Sequence, residues 1–390
     1  MLAGALLMTS VPAEVQAASE EETGQHVEVV SIGSDVWETP VVPDAPKQQA
    51  GVGKSELSLN ETTGDGTWKF LYDIPDYTQA GGVPYPTEEN QDFDFSKWQD
   101  KNWQNIKVPG ESLMQGFDIL TNNEYYYQRE ITIPSDFADR QVLVRFDGVY
   151  CNARVWVDGI YVRTHVGGFT TWDCDITEYA VPGMSVTLTV GVADIYADTK
   201  GIWNPDGSFI NNPSNATWYA HHNIGGINRD VSLVALPYDC IARTYVNTYF
   251  DDTFTDASLE VTAQLQMQSK KASLLTELWD GETLVASSEA EFARQGDGTG
   301  LSQAKKLTIP VSRPKKWDAE HPNLYTLRST LKVNGEAVQV NEEKIGFREI
   351  YYGGIEGTDR NKVYVNGREV KLRGTCRHDV SDDLGRSMTR

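Results

Sequence analysis

Ser185 to Val192 alternates without a slip, with Val186, Leu188, Val190 and Val192 on one side and Ser185, Thr187 and Thr189 on the other. Successive side chains point to opposite faces in a strand, so this run predicts a half-buried β-strand with its valines and leucine inward and its hydroxyls outward. The same period recurs elsewhere. Val142, Val144 and Phe146 share a face within Gln141 to Phe146. Leu259, Val261, Ala263, Leu265 and Met267 do so within Leu259 to Gln268, and Tyr325, Leu327, Leu331 and Val333 follow the pattern later. Helical periodicity is nearly absent. Asp158-Gly159, Asn334-Gly335 and Asn366-Gly367 each separate two apolar runs, as two-residue hairpins require. The 33 Gly, 16 Pro, 10 Trp, 18 Tyr and 12 Phe also suit a turn-rich, mainly β fold.

At roughly 150 residues per domain, 390 residues predict two or three domains. Residues 1–17 read as a signal-peptide remnant: Leu2 to Met8 is apolar, and Val15-Gln16-Ala17 gives a small-x-small cut after Ala17. The basic n-region is missing, and a frayed cytoplasmic N-terminus is the competing reading. Residues 18–56 are acidic, Pro-containing and aperiodic, a flexible leader. Residues 57–237 form one large β-sandwich, left at Leu236-Pro237-Tyr238. Residues 238–348 carry short strands that suit an immunoglobulin-like sandwich, without the Cys…Trp…Cys signature. Residues 349–390 are too few to bury a core of their own. They read as the opening of a further domain, and Tyr351 to Arg390 is expected to be mobile when the chain is isolated.

The net charge of −22 repels phosphate backbones and anionic lipid, which argues against a nucleic-acid partner. Leu2 to Met8 is too short to span a bilayer, and no later run reaches about 18 apolar residues, so no membrane insertion is expected. A secreted or extracytoplasmic location follows from the signal reading. Cys151, Cys174, Cys240 and Cys376 have no metal-ligand spacing, so no metal site is assigned. Disulfides and buried free thiols both remain open for them. The chain has no G-x-S-x-G, P-loop, H-E-x-x-H or G-x-G-x-x-G motif. Asp251-Asp252 reads as a solvated turn.

One segment crowds Trp203, Trp218, Tyr219, His221, His222 and Asn223 among Asn and Gly. Aromatic faces stack on sugar C–H faces while Asn and His bond hydroxyls, so the cluster fits a carbohydrate site. Aromatics that simply pack into the sandwich are the alternative.

A series of short motifs then runs in order: Thr67-Trp68-Lys69-Phe70, Ile106-Lys107-Val108-Pro109-Gly110, Tyr127-Gln128-Arg129-Glu130, Arg145-Phe146-Asp147-Gly148 and Val155-Trp156-Val157-Asp158-Gly159. Val166-Gly167-Gly168-Phe169, Asp175-Ile176-Thr177 and Gly226-Ile227-Asn228-Arg229-Asp230 follow. His321-Pro322-Asn323-Leu324-Tyr325, Gly346-Phe347-Arg348, Val365-Asn366-Gly367 and Arg373-Gly374-Thr375-Cys376-Arg377-His378-Asp379 close the series. Over roughly residues 57–390 the chain resembles the family 2 glycoside hydrolases, which include β-galactosidases, β-glucuronidases and β-mannosidases. Gly148, Gly167 and Gly168 fit turns or close backbone approach, and Arg229 is suited to tying down a strand end.

The resemblance implies a jelly-roll sugar-binding sandwich, an immunoglobulin-like sandwich and the first strands of a truncated (β/α)8 barrel. With the signal reading, it implies an exported retaining exo-glycosidase whose acid/base and nucleophile glutamates, about 5–5.5 Å apart, lie in the barrel beyond this sequence. No catalytic residue is therefore assigned, and the chain alone is expected to be inactive. His378 matches the family's sugar-approaching histidine, at a strand end where barrels place function. Asn122 matches an Asn loop that some members extend towards substrate. Ala220 stands where galactosidases and glucuronidases carry a sugar-contacting Asp. His221, His222 and Trp218 lie beside it as substrate-binding candidates. A carbohydrate is the implied partner. Family members often bind divalent cations, usually through barrel residues that this chain lacks, so no cofactor is assigned, and an oligomer is left open. The alternative is a non-catalytic carbohydrate-binding or adhesive β-sandwich protein.

Overall fold

The computed structural model describes residues 53–60, 68–72, 92–117, 124–150, 152–193, 225–353 and 362–387. The signal-peptide remnant and most of the leader lie outside them. Ser55 and Glu56, which the sequence reading gives to the leader, already belong to a strand and pair with Ala235 and Val234. Their backbone groups find a ladder partner there, and Arg140 Nη1 donates to Gly53 O at 2.9 Å.

Among the described residues, twelve strands build the first body: β1 (Ser55–Ser58), β2 (Trp68–Leu71), β3 (Gln104–Ile106), β4 (Glu124–Thr132), β5 (Gln141–Phe146), β6 (Val149–Tyr150), β7 (Asn152–Val157), β8 (Ile160–Val166), β9 (Trp172–Asp175), β10 (Ser185–Ala193), β11 (Gly226–Ile227) and β12 (Val231–Leu236). They form a four-stranded sheet, β1-β12-β5-β9, facing a six-stranded sheet, β3-β2-β4-β10-β7-β8, with β11-β6 as a small ribbon. Phe70, Tyr127, Phe146, Trp172 and Leu188 are fully buried between the layers. Each such side chain contributes about 1.5–3 kcal/mol over an exposed one. Gly168 packs so closely on the Tyr150 ring that a Cβ would overlap it.

The alternation of β10 is realised on its inner face, where Val186, Leu188, Val190 and Val192 are all buried. Thr189, expected outward and solvated, is also buried. A second apolar layer causes this: Leu71, Phe95, Tyr126 and Trp156 cluster on the outer face, with Phe93, Trp98 and Trp103 against them. Gln128 Nε2 donates to Thr189 Oγ1 at 3.1 Å, so the hydroxyl keeps a partner. The four-stranded sheet is likewise covered on both sides, because Leu143 meets Val234, Leu236 and Cys240 where the second body begins.

That second body contains β13 (Cys240–Phe250), β14 (Ala257–Gln266), β15 (Lys271–Asp280), β16 (Thr283–Ala293), β17 (Lys305–Val311), β18 (Tyr325–Val333) and β19 (Glu336–Ile345). Its sheets are β13-β14-β17 and β16-β15-β18-β19, a seven-stranded immunoglobulin-like sandwich. Leu259, Val261, Ala263, Leu265 and Met267 point into it and are buried. A last sheet joins β20 (Ile350–Tyr352), β21 (Val363–Val365) and β22 (Arg368–Val370).

All three hairpins have the geometry that their sequences demand. Asp158 and Gly159 have φ of 51° and 84°, Asn334 and Gly335 52° and 86°, Asn366 and Gly367 49° and 75°. Positive φ at both central positions is the primed turn that matches strand twist. Asn366 has a second task. Its Oδ1 accepts from Glu349 N and its Nδ2 donates to Trp317 O, both at 2.9 Å, tying the last sheet to the second sandwich.

Within the stretch from Tyr351 to Arg390, residues 351–352, 363–365 and 368–370 pair as a sheet and residues 381–387 fold back onto the first sandwich. Among the described residues, 371–380 make no ladder, and they include the Arg373 to Asp379 motif. A strand needs a neighbour for its N–H and C=O groups, and these residues are exposed instead. Cys174 and Cys240 are buried free thiols and Cys376 is an exposed one, while Cys151 lies outside the described residues. Asp251 is a turn residue whose carboxylate accepts from Thr253 N at 3.2 Å and Thr255 N at 2.7 Å. Among the described residues no helix is long and apolar enough to cross a membrane.

Candidate functional site

The chain leaves β3 through Val108-Pro109-Gly110 and turns at Glu111 and Ser112 into a short helical turn, Leu113–Gln115. Gln115 closes the base of this loop: its Oε1 accepts from Lys107 N at 2.8 Å and its Nε2 donates to Lys107 O at 3.1 Å. Gly110 N donates to Ile227 O at 2.9 Å, setting the loop beside β11. Glu111 and Ser112 are held at 3% and 0% exposure, which is rare for a carboxylate without a bonded partner.

Ser112 works in two directions. Its N–H and its Oγ both donate to Gly225 O, at 3.2 and 3.1 Å. Its own carbonyl accepts from Phe117 N at 3.2 Å. Glu111 faces the other way. Its N–H donates to Leu384 O at 3.1 Å, and its Oε1 accepts from Arg386 N at 2.7 Å. Arg229 completes the contact, with Nη1 donating to Asn228 O at 3.0 Å and to Arg386 O at 3.1 Å. Arg229, read from the sequence as a strand-end tie, instead bonds its neighbour Asn228 and a turn residue 157 positions away.

This junction collects the borders of every segment that carries a candidate ligand. Phe117 borders the Asn122 loop, Gly225 ends the segment with Trp218, His221 and His222, and Ser381 follows His378 by three residues. Asn122, Trp218, His221 and His222 themselves lie outside the described residues, as do Trp203, Tyr219, Ala220 and Asn223. His378 is described. It is exposed, in a stretch that makes no ladder.

Glu111 and Ser112 were missed by sequence reasoning. The signal available was an acid and a hydroxyl directly after the Val-Pro-Gly turn, too common a pair to single out. Their partners are 113 and 275 residues distant, beyond any local pattern.

Among the described residues no three His, Cys, Asp or Glu side chains come together to hold a metal ion. The described groups thus offer no fit for the divalent cation that the family resemblance allows. What the junction can do chemically is position: it fixes chain borders with backbone and charge-assisted bonds. The nearby Lys107–Asp383 pair, 3.9 Å apart and exposed on both sides, adds little. The Asp383 carboxyl lies below its usual range because Ser381 Oγ donates to it at 2.6 Å.

Comparison with known proteins supplies the context. Residues 65–237 match "Glycosyl hydrolases family 2, sugar binding domain". Residues 240–348 match "Glycosyl hydrolases family 2". A beta-galactosidase of Vibrio vulnificus strain CMCP6 is 28% identical over 373 residues, covering 89% of this chain and 32% of that protein. A beta-galactosidase of Halalkalibacterium halodurans is 26% identical over 351 residues, covering 84% and 31%. The crystal structure of Ruminococcus gnavus beta-glucuronidase superposes with a TM-score of 0.64 at 19% identity, over 90% of this chain and 53% of that one, a likeness of fold. The chain spans about a third of the length of the beta-galactosidases it matches.

Proposed function

The chain belongs to glycosyl hydrolases family 2, and from that premise we propose that it is the sugar-binding, N-terminal part of an exported retaining exo-glycosidase acting on β-galactosides or β-glucuronides. The acid/base and nucleophile glutamates come from a barrel outside residues 1–390. In this reading His378, Asn122, Trp218, His221 and His222 contact the sugar, and residues 1–17 direct export. The observation that carries the reading is the Glu111–Ser112 junction. Three segments far apart in sequence, each with a residue suited to hydroxyl or ring recognition, have their borders fastened to one buried dipeptide. A solved relative, the Ruminococcus gnavus β-glucuronidase, is described in complex with D-glucuronic acid, which supports a sugar as ligand.

The test is to express the reading frame through and past codon 390 and assay 4-nitrophenyl β-galactoside and β-glucuronide. One of the two is hydrolysed with retained anomeric configuration, and residues 1–390 alone hydrolyse neither. His378→Ala in the long form lowers kcat/KM by roughly 2- to 10-fold, the worth of one hydrogen bond to a substrate hydroxyl. A frame that stops at codon 390, joined to tight glycan binding by this chain, would favour a carbohydrate-binding protein instead.

A further inference from the structure

We propose that Glu111 is a positioning residue that docks the Ser381–Ser387 turn onto the sugar-binding sandwich, and so fixes the chain immediately after His378. The turn is preformed for this. Ser381 N donates to Gly385 O at 2.6 Å and Gly385 N returns a bond to Ser381 O at 3.2 Å. Ser381 Oγ also accepts from Leu384 N at 3.4 Å. The closed turn presents two groups outward, the Leu384 carbonyl and the Arg386 N–H, and Glu111 meets both, with its own N–H and with its carboxylate. A carboxylate accepting a backbone N–H is a charge-assisted bond, stronger than a neutral one and sensitive to removal of the oxygen.

Shape agrees with the bonding. Gly385 has φ of +69°, and a Cβ there would stand 2.5 and 2.6 Å from Cδ and Oε2 of Glu111 and 2.8 Å from Met114 Cγ. Only glycine allows the turn to sit this close to the carboxylate. Gly385 and Ser387 are buried, although the ten residues before Ser381 are exposed. Burial thus returns abruptly at the point of contact. Residues 371–380 have no ladder to hold them, so their position depends on their two ends: β22 on one side and this docked turn on the other. Because Ser112 fastens Gly225, the adjacent residues 111 and 112 fix the chain near His378 and near His222 in a common frame.

The docking claim stands on the bonds above, and its bearing on sugar recognition rests on the function proposed for His378. Hydrogen exchange on the 390-residue chain separates the two. In the absence of sugar, Glu111→Ala should speed exchange of the Arg386 amide at least tenfold while amides of β14 and β17 stay unchanged. Glu111→Gln, which keeps an acceptor oxygen, should restore most of the protection. Gly385→Ala should speed the same amide from the opposite side of the contact. An Arg386 amide that exchanges alike in wild type and Glu111→Ala overturns the proposal. Equal acceleration throughout the first sandwich also overturns it, since Glu111 would then merely support that domain. Monosaccharide binding to the long form is the second arm. If His378→Ala leaves it unchanged while the exchange pattern holds, docking stands and the role given to His378 fails.

Discussion

Arg145 on β5 and Asp173 on β9 meet in a bidentate ion pair, Nε to Oδ1 and Nη2 to Oδ2 both at 2.7 Å, with side chains only 1% and 2% exposed. A second buried pair, Arg154 with Glu124, lies in the six-stranded sheet, and Tyr126 Oη donates to the same carboxylate at 2.6 Å. Neither pair was expected on a strand face. Desolvating both charges offsets most of their attraction, so such a pair adds little net stability while intact. Its integrity matters far more than its presence.

Asp173→Asn keeps the shape and removes the charge. The guanidinium of Arg145 then stays buried without its bidentate partner, keeping only the weaker attraction of Glu56 and Asp147, at a cost of about 3–5 kcal/mol in unfolding free energy. Urea denaturation of the single variant and of an Arg145→Met, Asp173→Leu double variant measures this, and the double variant should recover most of the loss. An Asp173→Asn protein as stable as wild type would mean that the pair is hydrated in solution.

How far the sequence carries can be judged residue by residue. Val186, Leu188, Val190 and Val192 were legible because a two-residue period has one physical cause, and the hairpin pairs because Asn-Gly and Asp-Gly tolerate positive φ. Thr189 was not, since its burial depends on Phe95, Tyr126 and Trp156, which a local pattern cannot place above it. The motif order gave the family and drew attention to His378. It did not give Glu111, whose function is defined by Leu384 and Arg386, at the far end of the chain. Long-range pairing decides such residues, and alternation carries no information about it.

The cysteines should differ sharply in reactivity. Burial pushes the Cys174 and Cys240 thiols up to about 12, so almost no thiolate forms at neutral pH and reagent cannot reach the sulfur. Cys376 is exposed. Iodoacetamide at pH 8 followed by peptide mass spectrometry should find Cys376 alkylated in the native protein, with Cys174 and Cys240 alkylated only after unfolding. Native labelling of Cys174 at the rate of Cys376 would show that the first sandwich opens readily.

His165 should make stability depend on pH in a defined window. Its ring stacks on Trp172 at 4.6 Å, Trp172 stacks on Phe146 at 4.4 Å, and the Arg163 guanidinium lies 5.5 Å from the Trp172 centroid. Burial first, and the Arg163 charge second, lower its pKa to about 4 from the ordinary 6.5. Between those values the unfolded chain binds a proton that the folded chain refuses, so stability falls as pH falls from 6.5 towards 4 and is level above 6.5. Allowing for solvent screening of a partly buried ring, the loss is about 1–2 kcal/mol. Asp251, Asp297 and Asp318 have lowered pKa values and act below this window, from 3.8 downwards. Glu343, raised by burial, acts with opposite sign from 4.5 upwards, inside this window. His165→Phe keeps an aromatic stack and removes the titration. The wild-type advantage over this variant in urea unfolding should therefore be larger at pH 7.5 than at pH 4.5 by about that amount. A difference independent of pH would show that His165 is protonated in the fold as easily as in the unfolded chain.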